Sequence, residues 1–448
     1  MRFIPLTESD KEQMLEVIGA HSVDELFSDI PEKARTKKEL NLPGPLAEPE
    51  LAEYFEALAA ANKPAGARGC FMGAGAYRHD TPAAVDQLLL RSEFFTAYTP
   101  YQPEVSQGTL MAIYEFQTYT ASLFGMDVAN ASMYDGASSL AEAVIMAGRT
   151  ARKNRVAVSN LVHPGWRAVA ETYTQHHGID LVDIDCLGEG VISGDRLKSA
   201  VDDKTAAVVV QYPNFLGHIE DLAAVREACD ANGAMMIVAV AEPVAMGMLK
   251  GPGDFGADIV VGEGRSFGGT LSYGGPGLGL FATKKEWVRS MPGRLVGKTK
   301  DADGEDGYVL TLATREQHIR RDRATSNICS NQALCATAFA IHLSLLGREG
   351  LKDLALRNLS AARYMAETIS SIKGFERIYD LPFFNEVAFR LPVEPAVINK
   401  RLAEEGFLGG FDLSGEYDLN CSALFCATEI NSKESIDRLA EILSEFEK

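Results

Sequence analysis

Arg265 stands at a place in the chain where a reactive side chain could be held. Asp258-Ile-Val-Val-Gly-Glu263 reads as a buried strand and Gly264-Arg265 as a turn. Gly268 to Gly279 reads as a glycine-rich loop that lets backbone approach a partner closely. The group offered at the turn is a guanidinium, which keeps its proton at physiological pH and is a poor imine-forming nucleophile. A second cluster, Tyr98-Thr-Pro-Tyr101-Gln-Pro-Glu104-Val-Ser-Gln107, is dense in polar groups and stiffened by prolines. Such a loop fixes side-chain geometry, either as a wall facing substrate or as a rigid interdomain turn. Asp135-Gly-Ala-Ser138-Ser139 opens a helix, and its amides and hydroxyls suit either a phosphate or plain capping. His163-Pro-Gly-Trp follows a strand, where an imidazole can stack on a planar ring or serve surface structure. The block Arg315–Gln332 carries Arg315, Arg320, Arg321 and Arg323, read as a solvated face, an anion site or a subunit contact. No Walker A, Gly-x-Ser-x-Gly or His-Glu-x-x-His motif occurs, and Gly73-Ala-Gly-Ala lacks the spacing of a nicotinamide site.

These residues need elements to position them. The 448 residues are 46% hydrophobic and 23% charged, enough for a large core and about two or three domains. A net charge of −19 disfavours nucleic acid and anionic membrane as main partners. Met1-Arg-Phe-Ile-Pro5 leads into no secretory h-region, and no run reaches the ~18 apolar residues of a spanning helix. A cytoplasmic chain is expected. Seven scattered cysteines without a Cys-x-x-Cys pair point to reduced thiols and no metal site.

Residues 1–65 read as a helical arm that wraps a neighbour or its own domain. Thr7 caps a helix through Ile18, Ser22 and Glu25 have capping-box spacing, and Leu51–Ala61 is a second helix. Residues 66–330 alternate apolar strands with helices. The strands are Val156–Ser159, Leu181–Ile184, Ala206–Gln211, Met235–Val240 and the run from Ile259; the helices are Leu140–Lys153, Pro164–His177 and Leu222–Asn232. That alternation predicts a mainly parallel, doubly covered sheet. Asp301–Gly307 reads as an exposed polar loop. Residues 331–448 form a small α/β unit with helices Gln332–Leu346, Leu351–Ile372 and Lys433–Phe446 and strands near Phe375–Tyr379 and Glu386–Arg390.

Taken together, several ordered segments resemble subunit 1 (alpha) of the glycine cleavage system P-protein family, glycine dehydrogenase (decarboxylating). They are Arg2–Thr7, Phe71–Tyr77, Ala97–Gln107, Phe116-Gln, Met126–Gly136, Val261–Gly264 and Arg315–Gln332, so the resemblance spans essentially the whole chain. It implies an α/β fold of the fold-type I pyridoxal-phosphate-transferase kind: a large domain with a mainly parallel sheet, a small C-terminal α/β domain and the N-terminal helical arm. In that fold the lysine that carries the cofactor stands where Arg265 stands here. The aspartate that partners the pyridine nitrogen stands where Ala239 does, with Glu242 the nearest acid. The resemblance therefore implies a vestigial pocket of Ser138, Ser139, His163, Ala239 and Arg265, with pyridoxal phosphate on the partner subunit 2 (beta) and none held covalently here. The two-subunit enzyme takes glycine, releases CO2 and passes the aminomethyl group to the lipoyl-lysine of H-protein. Tyr98, Tyr101, Glu104 and Gln107 are expected to wall that site: Tyr and Gln orient glycine, and Glu104 engages its amine or relays a proton. An acidic H-protein is expected to dock on a basic patch of Lys284, Lys285, Arg289, Arg294, Lys298 and Lys300. Two other readings share these residues. One is a self-sufficient homodimeric transferase or decarboxylase using another lysine; the other is a non-catalytic scaffold subunit.

Overall fold

Seven strands form the central sheet: β1 (Val128–Ala129), β2 (Arg155–Ser159), β3 (Asp180–Ile184), β4 (Thr205–Gln211), β5 (Met235–Val240), β6 (Ile259–Glu263) and β7 (Gly279–Thr283). The computed structural model that shows them describes residues 6–36, 38, 40–62, 68–312, 317–324, 326–328, 330–417 and 419–447, the side chain of His318 excepted. The strand order is β1-β7-β6-β5-β4-β2-β3. Pairs from β6 to β3 are parallel, while β7 is antiparallel to both β6 and β1. The expected apolar runs are β2 to β6. Alternate residues of β5 feed two cores: Met236, Val238 and Val240 enter one, Met235, Ile237 and Ala239 the other. This is the period-two geometry of a strand covered on both faces.

Helices Gly136–Ala151, Pro164–Thr174 and Leu222–Asn232 connect the strands. The first begins four residues before the expected Leu140 because Asp135 caps it, its carboxylate accepting the Ser138 N–H at 2.7 Å. The polar loop expected at 301–307 is the turn of a hairpin, β8 (Leu295–Lys300) with β9 (Asp306–Thr311), so Asp306 and Gly307 are already paired strand residues. Toward the C-terminus, the two expected helices are both present within Ala333–Ser370, separated at Gly347 by non-helical φ 59° and ψ −172°. A small antiparallel sheet follows, β10 (Glu376–Arg377), β11 (Glu386–Arg390), β12 (Phe411–Asp412) and β13 (Ser422–Cys426), in the order β10-β11-β13-β12. Phe71, Phe389, Phe425 and Leu439 lie in its core, with helix Lys433–Ser444 supplying the last of these.

The chain divides into two compact units, residues 1–63 and 64–448. The arm boundary expected at 65/66 lies outside the described residues. In the first unit, Thr7 caps helix Glu8–Ile18 and forms a capping box with Asp10. The box expected of Ser22 is not made: Glu25 accepts the His21 N–H at 2.8 Å instead, and a short 3-10 turn follows at Val23–Phe27. Helix Glu48–Ala60 starts earlier than expected, since Pro49 suits a first turn and Glu50 accepts the Ala47 N–H. No described residue of this unit is buried.

Candidate functional site

In an open α/β sheet, ligands gather at the carboxyl ends of the parallel strands. There β6 ends in Glu263, a buried carboxylate facing three backbone donors. Its Oε2 accepts the Gly136 N–H at 3.1 Å; its Oε1 accepts Leu278 N–H at 2.8 Å and Arg265 N–H at 3.2 Å. Burial pushes its pKa up, opposed by these donors and the Arg265 charge. Gly136 opens a helix whose N-terminal amides would otherwise receive an anion. The amides at both the first and third helical positions therefore meet carboxylates of this chain, Glu263 and Asp135.

The other pocket residues are similarly engaged. Ser138 and Ser139 donate their hydroxyls to the Asp135 carbonyl, at 3.1 and 2.7 Å. The Trp166 ring packs so closely on Gly136 that a Cβ there would lie 2.2 Å from it. Nδ1 of His163 accepts the Gly165 N–H at 3.0 Å, so Nε2 carries the proton and donates to the Ala74 carbonyl at 3.1 Å. Burial lowers the His163 pKa, in keeping with a neutral ring. Gly75 lies against that ring, where a Cβ would come within 2.4 Å. Ala239 is buried in β5 between Gln211 and Val261. Arg265 places Nε 4.0 Å from Glu263 and lines a cavity of about 200 Å³ with Asp86, Phe267, Gly269, Leu334 and Cys335.

Glu242, the acid nearest Ala239, is committed elsewhere. Its Oε1 accepts the Val244 N–H and its Oε2 lies 2.8 Å from His79 Nε2, while His79 Nδ1 lies 2.8 Å from Glu429. Burial opposes a charge on His79, but the two carboxylates outweigh it and push its pKa up to about 10. The buried imidazolium thus joins the end of β5 to the loop after β13.

The loop 98–107 is held by the β8–β9 hairpin. Tyr98 and Tyr101 are 78% and 60% exposed, and Glu104 is exposed. Gln107 is a staple: Nε2 donates to the Pro103 and Tyr308 carbonyls, and Oε1 accepts the Tyr308 N–H at 2.8 Å. Its amide is engaged with backbone through both its nitrogen and its oxygen. The expected basic patch also changes. Arg294 is buried and Lys284 pairs with Asp258; Lys298 and Lys300 are exposed and share the one carboxylate of Asp306, and Lys285 and Arg289 are exposed. Of the arginine block, Arg320, Arg321 and Arg323 are exposed; Arg315, Glu316, Thr325, Cys329 and the His318 side chain lie outside the described residues. Sequence reasoning missed Glu263, His79 and Glu429. An acid ending an otherwise apolar strand was the one available signal, and it applies only to Glu263.

A family model described as the glycine cleavage system P-protein matches residues 1–443. A probable glycine dehydrogenase (decarboxylating) subunit 1 from Desulfitobacterium hafniense is 50% identical over 447 residues, covering 100% of each chain. One from Brevibacillus brevis is 49% identical, covering 98% of this chain and 97% of the relative. Among solved structures, glycine decarboxylase (P-protein) of the glycine cleavage system, in inhibitor-bound form, matches with a TM-score of 0.92 at 43% identity over 100% of both chains. Glutamate decarboxylase of Lactobacillus brevis matches at 0.68 and 14% identity, over 92% of this chain and 95% of its own, and speaks for the fold alone. The fold is that of the fold-type I pyridoxal-phosphate enzymes.

Proposed function

Because the chain belongs to the glycine cleavage system P-protein family, we propose that it is the half of a two-subunit glycine decarboxylase that shapes the active site without holding the cofactor. With subunit 2 it decarboxylates glycine and passes the aminomethyl group to the lipoyl-lysine of H-protein. Pyridoxal phosphate, which supplies the electron sink for decarboxylation, belongs to subunit 2 in this reading.

The residues present here do not fit the cofactor. The observation that carries the reading is Glu263, whose carboxylate takes the Gly136 amide at the helix N-terminus, where a phosphate would otherwise bind. A phosphate brought there would meet two carboxylates, Glu263 and Asp135. Arg265 offers no amine for a covalent link, Ala239 no acid for a pyridine nitrogen, and Gly75 lies against His163. This chain's own contribution is the 98–107 loop. Tyr98 presents an exposed side chain for orienting glycine, Tyr101 a hydroxyl whose oxygen accepts from Arg294 and whose proton is left to donate, and Glu104 an exposed side chain for holding its amine or a proton.

The test is borohydride reduction of the assembled complex and of this chain alone, each with added pyridoxal phosphate, followed by peptide mapping. The reduced adduct is expected on subunit 2 only; an adduct on any lysine of this chain overturns the assignment. In the complex, Glu104→Gln is expected to lower glycine decarboxylation by roughly 100-fold, within the range for loss of a general acid or base. Unchanged rates would remove Glu104 from the site.

A further inference from the structure

We infer that Arg294 is a positioning residue for the glycine site, gripping the 98–107 loop in its working geometry; this rests on the reading of that loop as a wall of the site. Arg294 is 6% exposed. Its Nη1 donates to Thr99 Oγ1 at 3.0 Å and its Nη2 to Tyr101 Oη at 2.9 Å. The guanidinium carbon lies 5.1 Å from the centre of the Tyr101 ring. One planar fork thus holds the residues on either side of Pro100, which is itself buried. A lysine ammonium, a single point donor, cannot span both hydroxyls and face the ring with the same geometry.

The base of the fork is fixed as firmly as its tips. The Arg294 carbonyl accepts the Ala131 N–H at 2.8 Å, the Pro292 carbonyl accepts Asn130 Nδ2 at 3.1 Å, and β8 begins at Leu295. At its far end the loop is stapled by Gln107 to Tyr308 of β9. Both anchors therefore come from one hairpin region, and the exposed residues between or beside them include Tyr98 and Glu104. Losing the Arg294 grip leaves those groups present but misplaced. A displacement of about 1 Å can cost on the order of 100-fold in rate.

The test uses the complex of this chain with its partner subunit. Arg294→Met removes both donors at similar length, Arg294→Lys restores the charge on a single nitrogen, and Thr99→Val removes one acceptor. Hydrogen exchange of the 98–107 peptide is read beside kcat and KM for glycine, melting temperature and assembly. In Arg294→Met, exchange of that peptide is expected to rise while the β4 and β5 peptides stay protected, and kcat/KM to fall by about 10- to 100-fold. Arg294→Lys should recover part of the loss, and Thr99→Val should fall between. Unchanged loop exchange or unchanged kcat/KM in Arg294→Met overturns the inference. If that variant does not assemble, the same result in Thr99→Val overturns it. Glu104→Gln in the same series separates two failures. Silence there sinks the wall reading and this inference with it, whereas a loss there beside a fully active Arg294→Met sinks the inference alone.

Discussion

The Glu263 carboxylate does at a helix start what a bound anion does elsewhere, accepting N–H groups that have no partner within the helix. Glu263→Ala strips the acceptor from the Gly136, Leu278 and Arg265 amides in a buried setting, with an expected loss of about 3 kcal/mol in denaturant unfolding. Inorganic phosphate is expected to raise the melting temperature of that variant and not of the parent; equal responses would refute the idea of an internal anion. His79 makes a second residue-scale prediction. Its folded pKa is pushed up to about 10 against an ordinary 6.5, so its contribution to stability is fully present below 6.5 and lost as pH rises through about 10. His79→Gln should flatten that decline and cost roughly 3–5 kcal/mol near neutrality, because two buried carboxylates lose their cation. Parallel pH-stability curves for the two proteins would reject this. Arg265 and Ala239 stand out in sequence because the residue type itself departs from the pattern of the family the chain resembles. Glu263 with Gly136 and His79 with Glu429 do not, since 127 and 350 residues separate the partners.

Among the elements, β4, β5 and β6 announce themselves because strands covered on both faces are apolar along most of their length. β7 is equally buried but follows directly on the glycine-rich loop, and its own first residue is Gly279, so its pattern merges with the loop. The β8–β9 hairpin stayed hidden because its strands carry lysines and aspartate toward solvent and only Leu295 and Val296 are buried. That hairpin is what positions the candidate wall, so the part of the site least readable from sequence depends on the element least readable from sequence. Gly347 supplies the test at this scale. Its φ of 59° with ψ of −172° lies in a region essentially reserved for glycine. Gly347→Ala is therefore expected to cost about 1–3 kcal/mol in chemical denaturation, and a neutral result would show that helix Ala333–Ser370 can pass the break another way.

At the scale of the molecule, a net charge of −19 sets the mean field against any acidic partner, so the proposed docking of an acidic H-protein would rest on local cations. Lys285 and Arg289 are exposed, whereas Lys284 is paired with Asp258 and Lys298 and Lys300 share Asp306, which makes the first two the candidates to test. Reversing both charges should raise the apparent KM for H-protein several-fold, most at low ionic strength. A change insensitive to salt, or none, would clear this patch of the role. Glu263 also has a consequence for how the chain responds to its surroundings. A ligand that binds only the folded state stabilises it by mass action, so an enzyme that takes up a cofactor depends for part of its stability on the free cofactor concentration. Here the anion at the helix start is part of the chain, is present at unit stoichiometry and cannot be diluted away. In the division of labour proposed above, cofactor depletion is then expected to lower the melting temperature of subunit 2 and leave that of this chain where it was, so that the two proposed halves of the site would age differently.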